Sequence, residues 1–165
     1  MMCSCFETGN PNTIIYITMV QFHEENMENK IQSIDELIIS HKEIDSIHAE
    51  FEINKPYETC GVLIGITNGN IANVEKVLPI ANIRRTKVSF ELDPQQLYNA
   101  WNDAEKNGKE IVGIYHTHPN HPAAPSLWDR ETMKNILSVW LIAGIDGMMA
   151  YIWDDCIKTV KLNII

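Results

Sequence analysis

Three of the six histidines lie in one short segment, residues 115–129, which reads YHTHPNHPAAPSLWD. His116 and His118 are separated by one residue, so in a β-strand their side chains project from the same face. Two adjacent imidazoles fill a core poorly, because each needs a polar partner, but their nitrogens can converge on one zinc ion. Asp129, beyond a turn, is the nearest candidate for the third protein ligand that zinc needs. A fourth position would then be open for water, as in catalytic zinc sites.

The same residues also fit simpler structural roles. Ser126 and Asp129 form a helix-capping pattern, S-L-W-D, in which the serine oxygen and the carboxylate satisfy free backbone amides. His121 is expected to be a solvated loop residue rather than a ligand. The histidine pair alone does not establish a metal site, so the prediction depends on the pattern as a whole.

That pattern is H-x-H, seven intervening residues and S-x-x-D, and it resembles the signature of the JAMM (MPN+) metalloprotease family. The family also has a glutamate at the start of an early strand, and Glu58 in PYETCGVLIG occupies that place. The similarity runs from about Ser33 to the C-terminus and fits the compact prokaryotic members, of the archaeal deubiquitinase-like type. One departure is Thr117, where serine is commoner, and we expect its side chain to face away from the metal. Further shared features are Asn82, Phe90, Asp93-Pro94 and IVGIYHTHP.

The resemblance implies a role for each residue of the pattern. His116, His118 and Asp129 would bind one Zn²⁺ per chain together with a water. Glu58 would take the proton of that water, and Ser126 would donate a hydrogen bond to the developing oxyanion. Zinc lowers the pKa of such a water, and a carboxylate is needed to accept its proton. A hydrogen-bond donor at the oxyanion lowers the barrier by about 3 kcal/mol.

The resemblance therefore implies a zinc metallopeptidase, and three functions remain open. The first is a deubiquitinase-like isopeptidase that acts on ubiquitin-like modifiers. The second is an exopeptidase that releases a C-terminal amino acid, such as cysteine, from a sulfur-carrier protein. The third is a non-catalytic MPN scaffold that binds partners. A scaffold needs neither the ligand set nor Glu58 and Ser126, so the complete pattern argues against it.

Positioning the histidine pair requires a sheet, and apolar patterning predicts an α+β fold. We expect a curved, mostly antiparallel sheet with two substantial helices and a shorter one, and the resemblance implies a cytidine-deaminase-like MPN domain. Capping signals predict helices at Ser40–Glu52, from Asp93-Pro94 to Gly108, and from about Ser126 to Leu137. The predicted strands are DELIIS, TCGVLIGI, IANVEKVLPI, TKVSFELD, EIVGIYHTH, SVWLIAG, MMAYIW and CIKTVKL.

Composition narrows the partners and the compartment. The formal net charge of −9 argues against a nucleic-acid or anionic membrane surface as partner. Cys60 and Cys156 lie in apolar runs and are expected to pack as small hydrophobes in a reducing cytoplasm. We expect residues 1–32 to form a flexible N-terminal tail, with Met27 as an alternative start, and residues 33–165 to form the catalytic domain.

Overall fold

Seven of the eight predicted strands close into a barrel in the structure, a computed structural model that describes residues 34–136 and 138–165. The predicted tail, residues 1–32, lies outside these ranges and stays a prediction. Within the described ranges the strands are β1 (Glu36–Ile39), β2 (Cys60–Asn68), β3 (Ile71–Ile80), β4 (Glu110–Thr117), β5 (Val139–Gly144), β6 (Gly147–Asp154) and β7 (Cys156–Ile164). The helices are α1 (His41–Asn54), α2 (Pro94–Lys106) and α3 (Leu127–Met133).

The order of the strands around the barrel is β1-β3-β2-β4-β5-β6-β7, and β1 closes it by pairing with β7. The prediction of a curved sheet flanked by helices is confirmed only in part, because it did not include the closure of the sheet into a barrel. Four of the seven strand pairs are antiparallel, as expected, whereas β1 with β3, β1 with β7 and β4 with β5 are parallel. Patterning identifies β1 as a strand, but it does not reveal that this strand has a partner on each side.

The segment TKVSFELD was predicted to be a strand, and this prediction is wrong. The β-pairing of this segment consists of one isolated antiparallel bridge, between Leu92 and Asn82. The side chain of Asn82 accepts backbone N–H bonds of Arg84, Arg85 and Glu91, so these amides bond locally instead of pairing with a neighbouring strand. The alternating apolar residues of the segment do not all face the core: Phe90 and Leu92 are buried, whereas Val88 is exposed.

The helix starts follow the predicted caps. The side chains of Ser40 and Asp93 accept bonds from the backbone amides of Glu43 and Gln96, and Pro94 is the first residue of α2. Helix α3 is shorter than predicted and ends at Met133. The buried strand β5 begins at Val139, so the chain must turn away from the helix axis soon after Met133.

Two apolar clusters hold the barrel and the helices together. One contains Ile44 and Ile47 of α1, and the other contains Ala100 and Ala104 of α2 with Met133 of α3. Alternate residues of β2, β4 and β5 belong to one cluster or the other, which explains why these strands read as continuous apolar runs. The motif histidines lie on the side of β4 that faces the second cluster, which includes Trp140 and Phe90.

Two smaller predictions have different outcomes. Cys60 is buried as predicted, whereas Cys156 is exposed because it follows the turn that joins β6 and β7. No helix in the described ranges has the length and apolar character needed to cross a membrane.

Candidate metal centre

The two motif histidines lie at the end of β4. His116 is opposite Cys60 of β2 and Ile142 of β5, so backbone pairing holds it from both sides. His118 follows the strand, and its backbone N–H donates to the carbonyl of Ala143 at 2.7 Å. Strand pairing therefore continues through the motif, and it sets both side chains toward the same buried space.

Asp129 reaches that space from the first turn of α3. The backbone N–H of Ser126 donates to Asp129 Oδ2 at 2.7 Å, and the N–H of Asp129 donates to Ser126 Oγ at 3.1 Å. The capping box inferred from S-L-W-D is thus present. It holds the carboxylate at the helix N-terminus, where a negative charge is stabilised.

Side-chain atoms of these three residues converge. The Nε2 atoms of His116 and His118 are 2.9 Å apart, and they lie 3.2 Å and 3.3 Å from the two carboxylate oxygens of Asp129. All three side chains are buried, and their candidate ligand atoms lie within 4.8 Å of one another. Two imidazole nitrogens and one carboxylate oxygen are a donor set that zinc binds, so the residues fit a metal.

The electrostatics of the three side chains are strongly coupled. Burial alone would raise the pKa of Asp129, but hydrogen bonds from His116 and His118 hold it below its usual range. Burial lowers the pKa of His116 despite the nearby carboxylate. Burial also acts to lower the pKa of His118, but Asp129 and the carbonyl of Pro122 raise it overall. The cluster therefore keeps Asp129 ionised and favours neutral His116, which are the forms that bind a metal.

The two histidine rings are oriented by different means. His118 Nδ1 lies 3.0 Å from the carbonyl oxygen of Pro122, so Nδ1–H donates, and in the neutral ring the Nε2 lone pair then faces the cluster. The ring of His116 stacks on Phe90 and meets Trp140 edge-on, with centroids 5.8 Å apart. Among the described residues, His116 Nδ1 has no hydrogen-bond partner. Aromatic packing therefore replaces a hydrogen bond in orienting this ring.

Glu58 lies just before β2, and the residue is 5% exposed. Burial raises its pKa to about 7; the charge of His118 lowers this pKa and that of Asp129 raises it further. A carboxyl group with a pKa near neutrality suits a group that both accepts and returns a proton. Ser126 accepts a bond at Oγ from the amide of Asp129, and its own O–H can donate to another group.

Thr117 faces away from the histidine cluster, as expected from strand alternation, but its hydroxyl has a definite partner. Thr117 Oγ1 accepts the backbone N–H of Thr59 at 2.9 Å and lies 3.1 Å from Thr59 Oγ1. Thr59 follows Glu58 directly, so this bond connects the end of β4 to the segment that carries the glutamate. Sequence reasoning did not assign this role to Thr117.

The loop between His118 and Ser126 is anchored by residues of β5, β6 and the turn between them, which the sequence pattern marked only as strands and a turn. The backbone N–H of Ala123 donates to Asp146 Oδ1 at 2.7 Å, and its carbonyl accepts the hydroxyl of Tyr151 at 2.8 Å. A Cβ on Gly144 would lie 2.2 Å from the Ala123 nitrogen, so this position has no room for a side chain. The signal for these residues lies in the tertiary contacts and not in the local sequence.

Comparisons with known proteins identify the family of the chain. Residues 40–154 match the family described as prokaryotic homologues of the JAB domain. Desampylase of Pyrococcus furiosus is 37% identical over 109 residues, 66% of this chain and 75% of that protein. Desampylase of Haloferax volcanii is 36% identical over 100 residues, 59% of this chain and 70% of that protein. A probable TtuB-protein conjugate cleaving protease of Thermus thermophilus is 34% identical over 80 residues, 48% of this chain and 53% of that protein.

Solved structures share the fold. The solution structure of protein DSY2949 from Desulfitobacterium hafniense has a TM-score of 0.72 at 26% identity, covering 78% of this chain and 92% of that one. A protein of Salinibacter ruber has a TM-score of 0.58 at 24% identity, covering 76% and 90%, which is a likeness of fold alone. The family match spans the strands, helices and loops that carry the histidine pair, Asp129, Ser126 and Glu58, and the chain belongs to the prokaryotic homologues of the JAB domain.

Proposed function

We propose that the chain is a zinc-dependent isopeptidase that hydrolyses the bond between the C-terminus of a ubiquitin-like or sulfur-carrier protein and its target. The observation that carries the proposal is the convergence of His116, His118 and Asp129 in one buried cluster. The buried carboxyl of Glu58 lies within the electrostatic influence of His118 and Asp129. Ligands, a proton acceptor and a hydroxyl donor are the parts that metal-assisted amide hydrolysis requires.

Each residue then has one task. His116, His118 and Asp129 would hold the zinc, which when bound lowers the pKa of water and polarises the scissile carbonyl. Glu58 accepts the proton of the attacking water and returns a proton to the leaving amine. Ser126 donates its O–H to the oxygen on which negative charge develops, which lowers the barrier by about 3 kcal/mol.

The substrate class follows from the relatives. Two of them are named desampylases, and a third is named as a protease that cleaves conjugates of TtuB with proteins. These names support a conjugate of a small carrier protein as substrate for this chain. Trimming of one residue from the carrier's C-terminus uses the same groups and is the alternative. A scaffold without catalysis would need neither a buried Glu58 nor three converging ligands.

The test uses two forms of one ubiquitin-like carrier. In the first form its C-terminus is joined to a lysine side chain of another protein, and in the second it carries one extra amino acid. The zinc-containing protein should release the intact carrier from the first form, as read by mass spectrometry. Cleavage of the extended form alone would favour the trimming enzyme, and cleavage of neither would contradict the proposal.

Glu58→Gln separates chemistry from metal binding. The amide cannot accept a proton, so turnover should fall about a hundredfold or more, while zinc content stays at one per chain. Glu52→Gln, on the exposed face of α1, is the matched control and should leave both unchanged. Full activity of Glu58→Gln, in a preparation free of other proteases, would assign the base to another group.

A further inference from the structure

The side chain of Asn82 forms hydrogen bonds to the backbone of three separate stretches of chain. Its Nδ2 atom donates to the carbonyl of Glu58 at 2.9 Å and to that of Ser89 at 3.3 Å. Its Oδ1 atom accepts backbone N–H bonds from Glu91 at 3.0 Å, from Arg84 at 3.1 Å and from Arg85 at 3.3 Å. One amide group thus closes the loop formed by residues 82–91 and attaches it to Glu58.

The 82–91 loop is also hydrogen-bonded to the backbone N–H of Glu58. The backbone N–H of Glu58 donates to the carbonyl of Thr86, in the middle of the 82–91 loop, at 3.0 Å. Both backbone polar groups of Glu58 are therefore satisfied by this loop rather than by a strand neighbour. The loop sets where the Glu58 backbone lies, and hence where its buried carboxyl points.

The 82–91 loop depends on Asn82 for its own shape. Arg85 has a φ of 52°, a left-handed conformation that is unfavourable for a residue with a Cβ. The bond from its N–H to Asn82 Oδ1 offsets part of that cost. The Arg84 guanidinium lies over the ring of Trp128, 4.4 Å from the centroid, so the loop also contacts the helix that carries Asp129.

We propose that Asn82 is a positioning residue, which holds Glu58 in place for proton transfer and couples its position to the conformation of the 82–91 loop. The inference rests on the proposed function, because it takes Glu58 as the proton acceptor. The loop exposes Ile83 and Val88 beside the site, so a protein substrate that touches it would act on Glu58 through Asn82. Misplacing a reacting group by about 1 Å can cost on the order of a hundredfold in rate.

Asn82→Asp tests this directly. The carboxylate keeps the oxygen that accepts the loop amides but loses both N–H donors, so it would face the Glu58 carbonyl with a repelling oxygen. With a cleavable carrier conjugate, kcat should fall about 10- to 100-fold while KM stays within about twofold and zinc content is unchanged. Asn99→Asp is the matched control: it adds the same charge on α2, keeps the bond that Asn99 accepts from Gln95, and should change nothing.

Combination with Glu58→Gln distinguishes action through Glu58 from an independent role. If Asn82 works through Glu58, adding Asn82→Asp to Glu58→Gln should lower the residual rate less than about twofold, because residues that act as a unit are not additive. An equal loss in both backgrounds would overturn the proposal. A raised KM with unchanged kcat would also overturn it, since that would assign Asn82 to substrate binding.

Hydrogen exchange in the metal-free protein gives a readout that does not depend on activity. In Asn82→Asp the loop is no longer bonded to the Glu58 carbonyl, so the amide of Glu58 should exchange at least about tenfold faster, while those of β2 and β4 keep their protection. Unchanged exchange at Glu58 would overturn the inference even if the chain proved to be no isopeptidase. Asn82→Ala removes the side-chain amide without adding a charge, and it should also speed the exchange of the Glu58 amide. Global unfolding of both variants would overturn the proposal in favour of a purely structural role.

Discussion

The ring of Phe90 lies on the ring of His116, with centroids 4.4 Å apart and planes inclined by 23°. His116 Nδ1 has no hydrogen-bond partner within the described residues, so this packing orients the candidate ligand. Phe90 comes from the segment that was expected to be a strand and is instead an irregular loop. The chain thus uses a loop residue from a distant part of the sequence to hold a candidate metal ligand.

Phe90→Leu should therefore weaken zinc binding more than it weakens the fold. Leucine fills most of the space but leaves the imidazole free to tilt, so the zinc dissociation constant should rise on the order of tenfold. The free energy of unfolding should fall by about 1 kcal/mol. Ile152→Val, in the other apolar cluster, should cost about 1 kcal/mol with no change in zinc affinity. Competition with a chelator measures the affinity; equal affinities in both variants would contradict the role of Phe90.

The purified protein should contain about one zinc per chain, bound through two histidines and one aspartate. His116→Ala removes a ligand from the buried cluster and should abolish stoichiometric zinc. His121→Ala, an exposed residue of the adjacent loop, should leave the zinc content unchanged. Elemental analysis of both variants makes the comparison, and unchanged zinc in His116→Ala would refute the ligand assignment.

Thr117 should contribute to catalysis through its hydroxyl, although it faces away from the cluster. Thr117→Val has nearly the same shape but leaves the Thr59 N–H without its acceptor, which costs about 1–3 kcal/mol in stability. Turnover should fall because Thr59 adjoins Glu58, whereas zinc binding should persist. Thr117→Ser keeps the hydroxyl and should retain most of the activity. Equal rates for the valine and serine variants would argue against this link.

Gly144→Ala should disturb the loop between His118 and Ser126, since the added Cβ would lie within 3 Å of backbone atoms of residues 121–123. We expect a loss of about 1–3 kcal/mol in unfolding free energy together with weaker zinc binding, because the Pro122 carbonyl that orients His118 must move. Gly108→Ala is the comparison. Nothing lies near the added Cβ of this variant, but the φ of 65° at this position is unfavourable for alanine. The variant should therefore lose about 1 kcal/mol of unfolding free energy and keep its zinc affinity. Thermal unfolding with and without zinc measures both effects.

Local signals predicted most of the elements but not the way in which they close. The caps at Ser40, Asp93 and Ser126 lie within four residues of the groups that they bind, so the sequence is enough to locate them. The pairing of Glu36 with Lys161 joins residues that are far apart in the chain, and no periodicity reports it. The closed barrel therefore became apparent only from the structure.

For the candidate site, too, the local sequence predicted some features and not others. The H-x-H and S-x-x-D spacings identified the converging groups, because strand alternation and helix capping are local rules. The residues that orient those groups were not predicted: Phe90 packs on His116, and Asp146 and Tyr151 hold the loop backbone at Ala123. None of them belongs to the H-x-H or S-x-x-D pattern, so only three-dimensional proximity assigns them these roles.

The pairing of β1 with both β3 and β7 also affects how the chain folds during synthesis. All the candidate site groups have left the ribosome once Asp129 has emerged, but β1 still lacks its second neighbour, residues 156–164. Contacts of such large sequence separation form slowly, because loop closure must precede them. A nascent chain that ends before β7 thus contains every group of the site on an unclosed barrel, so hydrolytic competence should appear only after β7 has been translated.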